Sequence, residues 1–305
     1  MSGIAWLFPG QGAQVVGMGK ALALGHAVAA RTFEEANDAL GFDLRALCFD
    51  GPQETLDRTV NAQPALVATS IAALRTVAAE QPFAPLAAAG HSLGEFTALV
   101  AAGALDLGAA LRLVRRRGEL MQAADESGGM AAVLGLDAAV IDRALADTGI
   151  VVANDNAPGQ VVVSGPLVAL ADATARLKTA GAKRVIPLRV SGAFHSLAMR
   201  AMAADLAAVL AATTFHPLRV PVVANVDAEV HTEASDFRSL LERQVWSPVR
   251  WASVMRRLAG EGATLFVEFG AGSVLTGLAK RILPDARTAN VSDPATLEEA
   301  RNVVR

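Results

Sequence analysis

Short apolar runs alternate with longer amphipathic stretches along the first 124 residues, a pattern typical of alternating strands and helices. The predicted elements are a strand at 4–8, a helix over about 18–40 after a glycine-rich turn, a helix at 64–80, a strand at 85–89, a helix after residue 92 and a helix at 107–124. This alternation predicts an α/β domain built on a parallel sheet.

The pattern changes between about residues 125 and 195. We predict there a strand at 130–136, a helix at 137–148, strands at 150–154 and 160–165 joined by a turn at 154–159, a helix at 167–180 and a strand at 183–190. This β-α-β-β-α-β order is the split βαβ arrangement of ferredoxin-like domains. The α/β pattern then returns, with a helix at 197–212, strands at 221–225 and 264–269, and a helix at 273–282. The sequence therefore predicts a ferredoxin-like subdomain at 125–195, inserted into a larger subdomain that residues 1–124 and 196–305 form.

Composition narrows the class of protein. A chain of 305 residues with 52% hydrophobic residues can bury a large core, yet no stretch reaches the roughly 18 uncharged apolar residues of a membrane helix. The N-terminus lacks the features of a signal peptide, and Cys48 is the only cysteine, which excludes an internal disulfide and a thiolate metal cluster. The net charge of −3 and the few aromatic residues show no nucleic-acid surface. We therefore expect a cytoplasmic protein that binds neither membranes nor nucleic acid.

Residues 90–94 (GHSLG) stand between the predicted strand at 85–89 and a stretch of good helix formers, and this context favours a nucleophile elbow. A strand, a sharp turn and a helix would place the Ser92 hydroxyl at the tip of the turn, where N–H groups of the helix end point at incoming negative charge. Such a serine can instead be only a helix cap.

His195 is the best candidate for a base among the five histidines. It ends a loop of small residues between the inserted subdomain and the next predicted helix, and clefts form where domains meet. The near-neutral pKa of an ordinary histidine suits proton transfer in both directions. The alternative is a histidine that only caps the following helix.

The glycine-rich turn at 8–14 (FPGQGAQ) follows the first predicted strand. Its spacing matches neither a dinucleotide-binding motif nor a P-loop. The backbone N–H of Gln11 would instead suit an oxyanion beside Ser92, together with the N–H of Leu93.

Arg117 lies on the apolar side of the predicted helix at 107–124, in line with Leu113, Val114 and Met121. A buried arginine is costly unless it is paired. Arg117 is therefore either a member of a structural ion pair or the receptor for a substrate anion, and its planar guanidinium suits a carboxylate.

Taken together, these segments resemble the malonyl-CoA:acyl carrier protein transacylase family over nearly the whole chain. The matching motifs are FPGQGAQ at 8–14, NAQPA at 61–65, GHSLGEF at 90–96, RGELMQ at 117–122, GAFHS at 192–196 and QVWSPVRW at 244–251. The resemblance implies an α/β-hydrolase-like larger subdomain with a parallel sheet and a ferredoxin-like small subdomain. It also implies malonyl transfer from malonyl-CoA to the phosphopantetheine thiol of an acyl carrier protein, through a malonyl-serine and without a bound cofactor.

In this resemblance Ser92 is the nucleophile, His195 is the base, and Arg117 binds the malonyl carboxylate. The backbone N–H groups of Gln11 and Leu93 hold the oxyanion.

A backbone carbonyl at Gln244 is implied to orient the histidine in place of a third acid. We expect a monomer whose partners are acyl carrier protein and CoA. Two departures from the family pattern, Phe96 in place of a frequent tyrosine and the lack of a proline at 196–199, leave open a stand-alone acyltransferase for a polyketide or another specialised carrier protein.

Two rival functions belong to other classes. An esterase or lipase would share the elbow, but its histidine usually lies near the C-terminus, with an acid between serine and histidine. A non-enzymatic scaffold would have no need for the elbow at Ser92, His195 in its loop and Arg117 on an apolar helix face together.

Overall fold

The computed structural model describes residues 3–80, 83–124 and 127–304. The first part of the chain contains β1 (Gly3–Phe8), α1 (Lys20–Gly25), α2 (Ala27–Leu40), α3 (Leu44–Asp50), α4 (Gln53–Asp57), α5 (Thr59–Glu80), β2 (Ala87–Gly90), α6 (Gly94–Ala101) and α7 (Leu107–Ala124). The middle part contains β3 (Gly128–Leu134), α8 (Ala138–Leu145), β4 (Val151–Ala157), β5 (Gln160–Pro166), α9 (Leu167–Thr179) and β6 (Arg184–Pro187). After a 3₁₀ turn at Leu197–Met202 come α10 (Ala203–Ala212), β7 (Val222–Val223), β8 (Val230–His231), α11 (Asp236–Gln244), α12 (Trp251–Gly260), β9 (Ala263–Phe269), α13 (Val274–Ile282), β10 (Arg287–Val291) and α14 (Pro294–Val304).

The larger sheet has six strands in the order β10-β9-β1-β2-β7-β8. Every neighbouring pair is parallel except β7 and β8. Alternate residues of β1 face opposite sides of the sheet: Trp6 and Phe8 join the core that α5 covers, whereas Leu7 packs with Trp251 and Met255 of α12. Helices on both faces are what a parallel sheet requires, because both faces are apolar.

The smaller sheet has four strands in the order β4-β5-β3-β6, and every neighbouring pair is antiparallel. One of its faces packs against α8 and α9, with Val133, Val161, Ile141 and Leu177 in a shared core. The mixed α/β fold and the β-α-β-β-α-β order predicted from the sequence are thus confirmed. The division at 125–195 stays a prediction, and its lower limit falls on residues 125 and 126, which lie outside the described part of the chain.

Local details differ from the prediction. The helix expected over 18–40 is two helices, separated at His26, whose backbone is extended. The turn expected at 154–159 is shorter, because β4 continues to Ala157 and pairs with β5 through two register shifts. Pairing with a neighbouring strand outweighs the turn preference of asparagine and aspartate there.

Within the described residues, no helix has both the length and the apolar character that crossing a membrane demands.

The tight approach of Gly90 to the first turn of α6 generates a stability prediction. A β carbon on Gly90 would overlap the carbonyl group of Gly94, whereas the same position on the exposed Gly277 of α13 has open space. We expect Gly90→Ala to lower the free energy of unfolding by about 3 kcal/mol, because backbone must move. Gly277→Ala, the control, should raise it by about 0.5–1 kcal/mol through helix propensity. Urea denaturation measures both, and an undiminished stability of Gly90→Ala would contradict the close packing.

Candidate active site

Ser92 lies at the turn between β2 and α6, with a left-handed backbone at φ 50°. The glycines on either side permit this path, since a β carbon on Gly90 would overlap Gly94 and one on Gly94 would overlap the carbonyl of Phe8. A serine held in a strained conformation between a strand and a helix is the geometry of a nucleophile elbow. The elbow predicted from the sequence is therefore present in the structure.

His195 contacts the serine through one ring nitrogen and backbone carbonyls through the other. Its Nε2 lies 2.7 Å from Ser92 Oγ, and its Nδ1 lies 2.9 Å from the Gln244 carbonyl oxygen and 3.2 Å from that of Ser247. Carbonyl oxygens can only accept hydrogen bonds, so Nδ1 carries the proton and the Nε2 lone pair accepts from the serine hydroxyl. The pair is oriented as a nucleophile and its base, with carbonyl oxygens where a triad has an acid.

The environment of His195 keeps the ring neutral. Its side chain is buried, and burial lowers the pKa of His195 to about 3, with the positive charge of Arg117 acting in the same direction. Hydrogen bonds to the carbonyls of Gln244 and Ser247 oppose this change. A neutral imidazole at physiological pH is ready to accept the serine proton.

Arg117 on α7 is only 1% exposed, as its apolar stripe predicts. Its Nη1 donates to Gln63 Oε1 at 2.9 Å, and its Nη2 donates to Gln244 Oε1 at 3.0 Å and to Ser92 Oγ at 3.3 Å. Nε has no hydrogen-bond partner among the described residues. The carbon of the guanidinium lies 5.3 Å from the centre of the Phe96 ring.

No carboxylate lies within ion-pair distance of Arg117 in the described ranges. Burial lowers the pKa of Arg117 to about 10, and the charge of Glu95 partly offsets this effect. A guanidinium aimed at the nucleophile and lacking a direct anionic partner fits an anion receptor better than a structural ion pair.

Backbone donors line the same cavity. The N–H groups of Gln11 and Leu93 make no hydrogen bond to the described residues, and both residues border the cavity that contains Ser92. The Gln11 side chain donates to Thr59 Oγ1 at 3.2 Å, and that hydroxyl lies 3.3 Å from Ser191 Oγ. These contacts tie the turn at 8–14 to the start of α5 and to the loop before His195.

The cavity has a volume of about 430 Å³ and lies between the two sheets. The small sheet contributes the face opposite α8 and α9, through Met130, Asn154, Asn156, Gln160 and Val162. On the other side, α7 and α13 close it. The structure thus brings Ser92, His195, Arg117, Gln11 and Leu93 to one cavity, with Gln244 directly behind them.

Several polar side chains that support the elbow escaped the sequence analysis. Asn225 Oδ1 accepts from the Ser92 N–H at 2.7 Å, and its Nδ2 donates to the Gly90 carbonyl at 2.8 Å. Asn225 follows β7 at the carboxyl end of a parallel strand, where ligand sites of open sheets gather. A polar residue ending the apolar run at 221–225 was the available signal.

His91, next to the nucleophile, points away from it. Its Nε2 lies 2.8 Å from Asn156 Oδ1, and its ring packs on Trp251 at 5.4 Å between centroids. Burial lowers the pKa of His91. His91 therefore links the elbow to the small sheet.

In the described ranges, no group of histidine, cysteine, aspartate and glutamate side chains is arranged to hold a metal ion.

The chain is similar to known proteins over nearly its whole length. The chain matches the family described as acyl transferase domain over residues 5–297. It is 47% identical to the malonyl CoA-acyl carrier protein transacylase of Bacillus subtilis (strain 168), covering 98% of this chain and 96% of that protein.

Solved structures are similar over the same extent. An acyl carrier protein S-malonyltransferase from Vibrio cholerae has a TM-score of 0.95 and 42% identity, with 98% of this chain and 100% of that chain covered. A malonyl transacylase in complex with its type II polyketide synthase acyl carrier protein matches with a TM-score of 0.96 and 43% identity. The match covers 99% of this chain and 100% of that chain.

The low pKa of His195 predicts how serine reactivity depends on pH. We expect the rate of Ser92 acylation by p-nitrophenyl acetate, a neutral ester, to change less than about twofold between about pH 5.5 and 7.5, because the base stays neutral over this range. If His195 had the pKa of an ordinary histidine, the acylation rate would fall roughly tenfold at the acid end of this range, since the base form disappears as the pH falls through that pKa. Stopped-flow release of p-nitrophenol, with Ser92→Ala as the background control, distinguishes the two profiles.

Proposed function

Because the chain belongs to the acyl transferase domain family, we propose that this acyltransferase moves the malonyl group of malonyl-CoA to the phosphopantetheine thiol of an acyl carrier protein. One arrangement carries the proposal: Ser92 Oγ lies 2.7 Å from the base His195 and 3.3 Å from the buried cation Arg117. An acyl group on this oxygen would hold a terminal carboxylate beside the guanidinium.

The first half-reaction forms a malonyl-serine. His195 Nε2 removes the Ser92 hydroxyl proton while Oγ attacks the thioester carbon of malonyl-CoA. The negative charge on the former carbonyl oxygen is stabilised by the N–H groups of Gln11 and Leu93. Collapse of this intermediate breaks the carbon–sulfur bond, and the CoA thiolate takes the proton from His195.

The second half-reaction runs through the same residues in reverse. The phosphopantetheine thiol gives its proton to His195, and its sulfur attacks the carbonyl carbon of the malonyl-serine. The oxyanion forms against the same two N–H groups, and collapse returns the proton to Ser92 Oγ. The cycle is ping-pong, because one acyl carrier leaves before the other arrives.

Gln244 positions the catalytic pair from behind. Its carbonyl oxygen accepts the His195 Nδ1 proton, which holds Nε2 toward Ser92. Its side-chain Oε1 accepts from Arg117, and its Nε2 donates to the Ser92 carbonyl at 2.9 Å. One residue therefore orients the base, the carboxylate receptor and the backbone of the nucleophile.

The pathway that this enzyme serves follows from its partner. We propose that the partner is the acyl carrier protein of fatty acid synthesis. The alternative is a carrier protein of polyketide synthesis, which is supported by the likeness to a transacylase in complex with such a carrier. Both require the same acyl-serine chemistry. We further propose a cytoplasmic monomer, with residues 125–195 as a separate subdomain that forms one wall of the cavity.

The lifetime of the malonyl-serine intermediate distinguishes transfer from hydrolysis. After mixing with malonyl-CoA, we expect intact-protein mass spectrometry to show one malonyl adduct on Ser92, which persists until acyl carrier protein is added and then appears on that partner. Ser92→Ala should show no adduct. Rapid release of free malonate without a carrier protein would contradict transfer and support the hydrolase alternative.

Selectivity for a diacid tests the role of Arg117. We expect Arg117→Ala to lower kcat/KM for malonyl-CoA by about 100-fold more than for acetyl-CoA, because charge-assisted hydrogen bonds to the terminal carboxylate are lost. Arg116→Ala is the matched control, since Arg116 is exposed and pairs with Glu119 on the same helix. Equal losses for both substrates in Arg117→Ala would leave only a structural role.

A further inference from the structure

A chain of buried polar groups runs from Arg117 to a carboxyl group that the acyl-transfer mechanism does not use. Arg117 Nη2 donates to Gln244 Oε1 at 3.0 Å, and Gln244 Nε2 donates to Glu95 Oε2 at 2.8 Å. Glu95, Gln244 and Arg117 are 0%, 0% and 1% exposed. The amide of Gln244 therefore connects a buried cation to a buried carboxyl group with its dipole aligned between them.

Glu95 is the charged group to which this amide connects Arg117. Glu95 Oε2 also accepts from the Asn225 N–H at 3.1 Å, whereas Oε1 has no hydrogen-bond partner among the described residues. Burial raises the pKa of Glu95 to about 7; the hydrogen bonds from Gln244 and Asn225 and the charge of Arg117 oppose the rise, and the charge of Asp227 adds to it. This carboxyl group is thus able to change charge near neutral pH.

We propose that Glu95 is the internal counter-charge of Arg117 in the empty site and takes up a proton from solvent when the substrate carboxylate reaches the guanidinium. The proposal rests on the proposed function, because it requires a diacid substrate. Glu95 touches no reacting atom and acts through Gln244, so it is a positioning residue.

Charge balance in a buried cluster is the physical reason. In the empty site one cation faces one anion through an amide. A malonyl carboxylate adds a second anion, and two anions sharing one cation away from water raise each other's pKa. A proton bound to Oε1 restores neutrality without breaking either hydrogen bond to Oε2.

The other ionisable groups near this cluster do not replace Glu95 in this role. Burial keeps the pKa values of His195 and His91 below their ordinary range, which disfavours proton uptake by either ring. Asp227, on the loop after β7, is a like charge that further favours protonation of Glu95. An acetyl group brings no charge, so its binding leaves the charge state of Glu95 unchanged.

The sign of the pH dependence follows from this exchange. Because malonyl binding takes up a proton, the affinity for malonyl-CoA should fall as the pH rises through the pKa of Glu95. The affinity for acetyl-CoA should lack the pH dependence that protonation of Glu95 causes. The CoA phosphates titrate in the same range but are common to both esters, so the ratio of the two affinities isolates Glu95.

Calorimetry on Ser92→Ala, which binds without turnover, tests the proposal. Malonyl-CoA and acetyl-CoA are titrated at about pH 7.5 in two buffers of different ionisation enthalpy. We expect malonyl-CoA to take up about half a proton more than acetyl-CoA. The ratio of the two dissociation constants should change about fivefold between about pH 6 and 8. Both effects should vanish in Ser92→Ala/Glu95→Gln, a neutral variant of nearly the same shape.

Equal proton uptake for the two esters in Ser92→Ala would overturn the proposal, and this comparison needs no change at Glu95. Persistence of the excess uptake in Ser92→Ala/Glu95→Gln would also overturn it, since the proton would then bind elsewhere. Failure of the proposed function is separate, because the unmodified protein would then form no malonyl adduct.

Discussion

The positive charge of Arg117 is held almost completely away from water, and the surrounding side chains are arranged to meet that cost. Gln63 and Gln244 direct their amide oxygens at the guanidinium, and Glu95 supplies the compensating charge through the Gln244 amide. A direct carboxylate partner would neutralise the group and close the receptor. Amide oxygens instead stabilise the cation while leaving part of its charge available to a ligand.

The same cluster supports the nucleophile. Ser92 has a strained backbone, which persists only where surrounding structure fixes it. Asn225 accepts from the Ser92 N–H and donates to the Gly90 carbonyl, and Gln244 donates to the Ser92 carbonyl oxygen. Groups that hold the elbow therefore also hold the base and the cation. The acyl group, its carbonyl and its far carboxylate are presented to one rigid set of contacts, which is the condition for electrostatic preorganisation.

Burial acts in opposite directions on two ionisable groups of this cluster, His195 and Glu95. It lowers the pKa of His195, since the charged form of imidazole is the cation, and it raises the pKa of Glu95, since the charged form there is the anion. The result is a base that is already neutral and an acid close to its titration midpoint. Removal from water thus prepares the proton acceptor and also makes the carboxyl group responsive to a second anion.

The sequence by itself determined the α/β pattern, the elbow at Ser92, the candidate base His195 and the burial of Arg117. These follow from short-range signals: strand and helix periods, flanking glycines, and a charged residue on an apolar stripe. It could not show that Gln63, Glu95 and Asn225 converge on one cluster, nor that the Gln244 side chain joins Arg117 to Glu95. Only the tertiary structure decided these contacts, because they join residues far apart in the chain. The choice between ion pair and anion receptor depended on them, since the surroundings of a buried charge determine its partners.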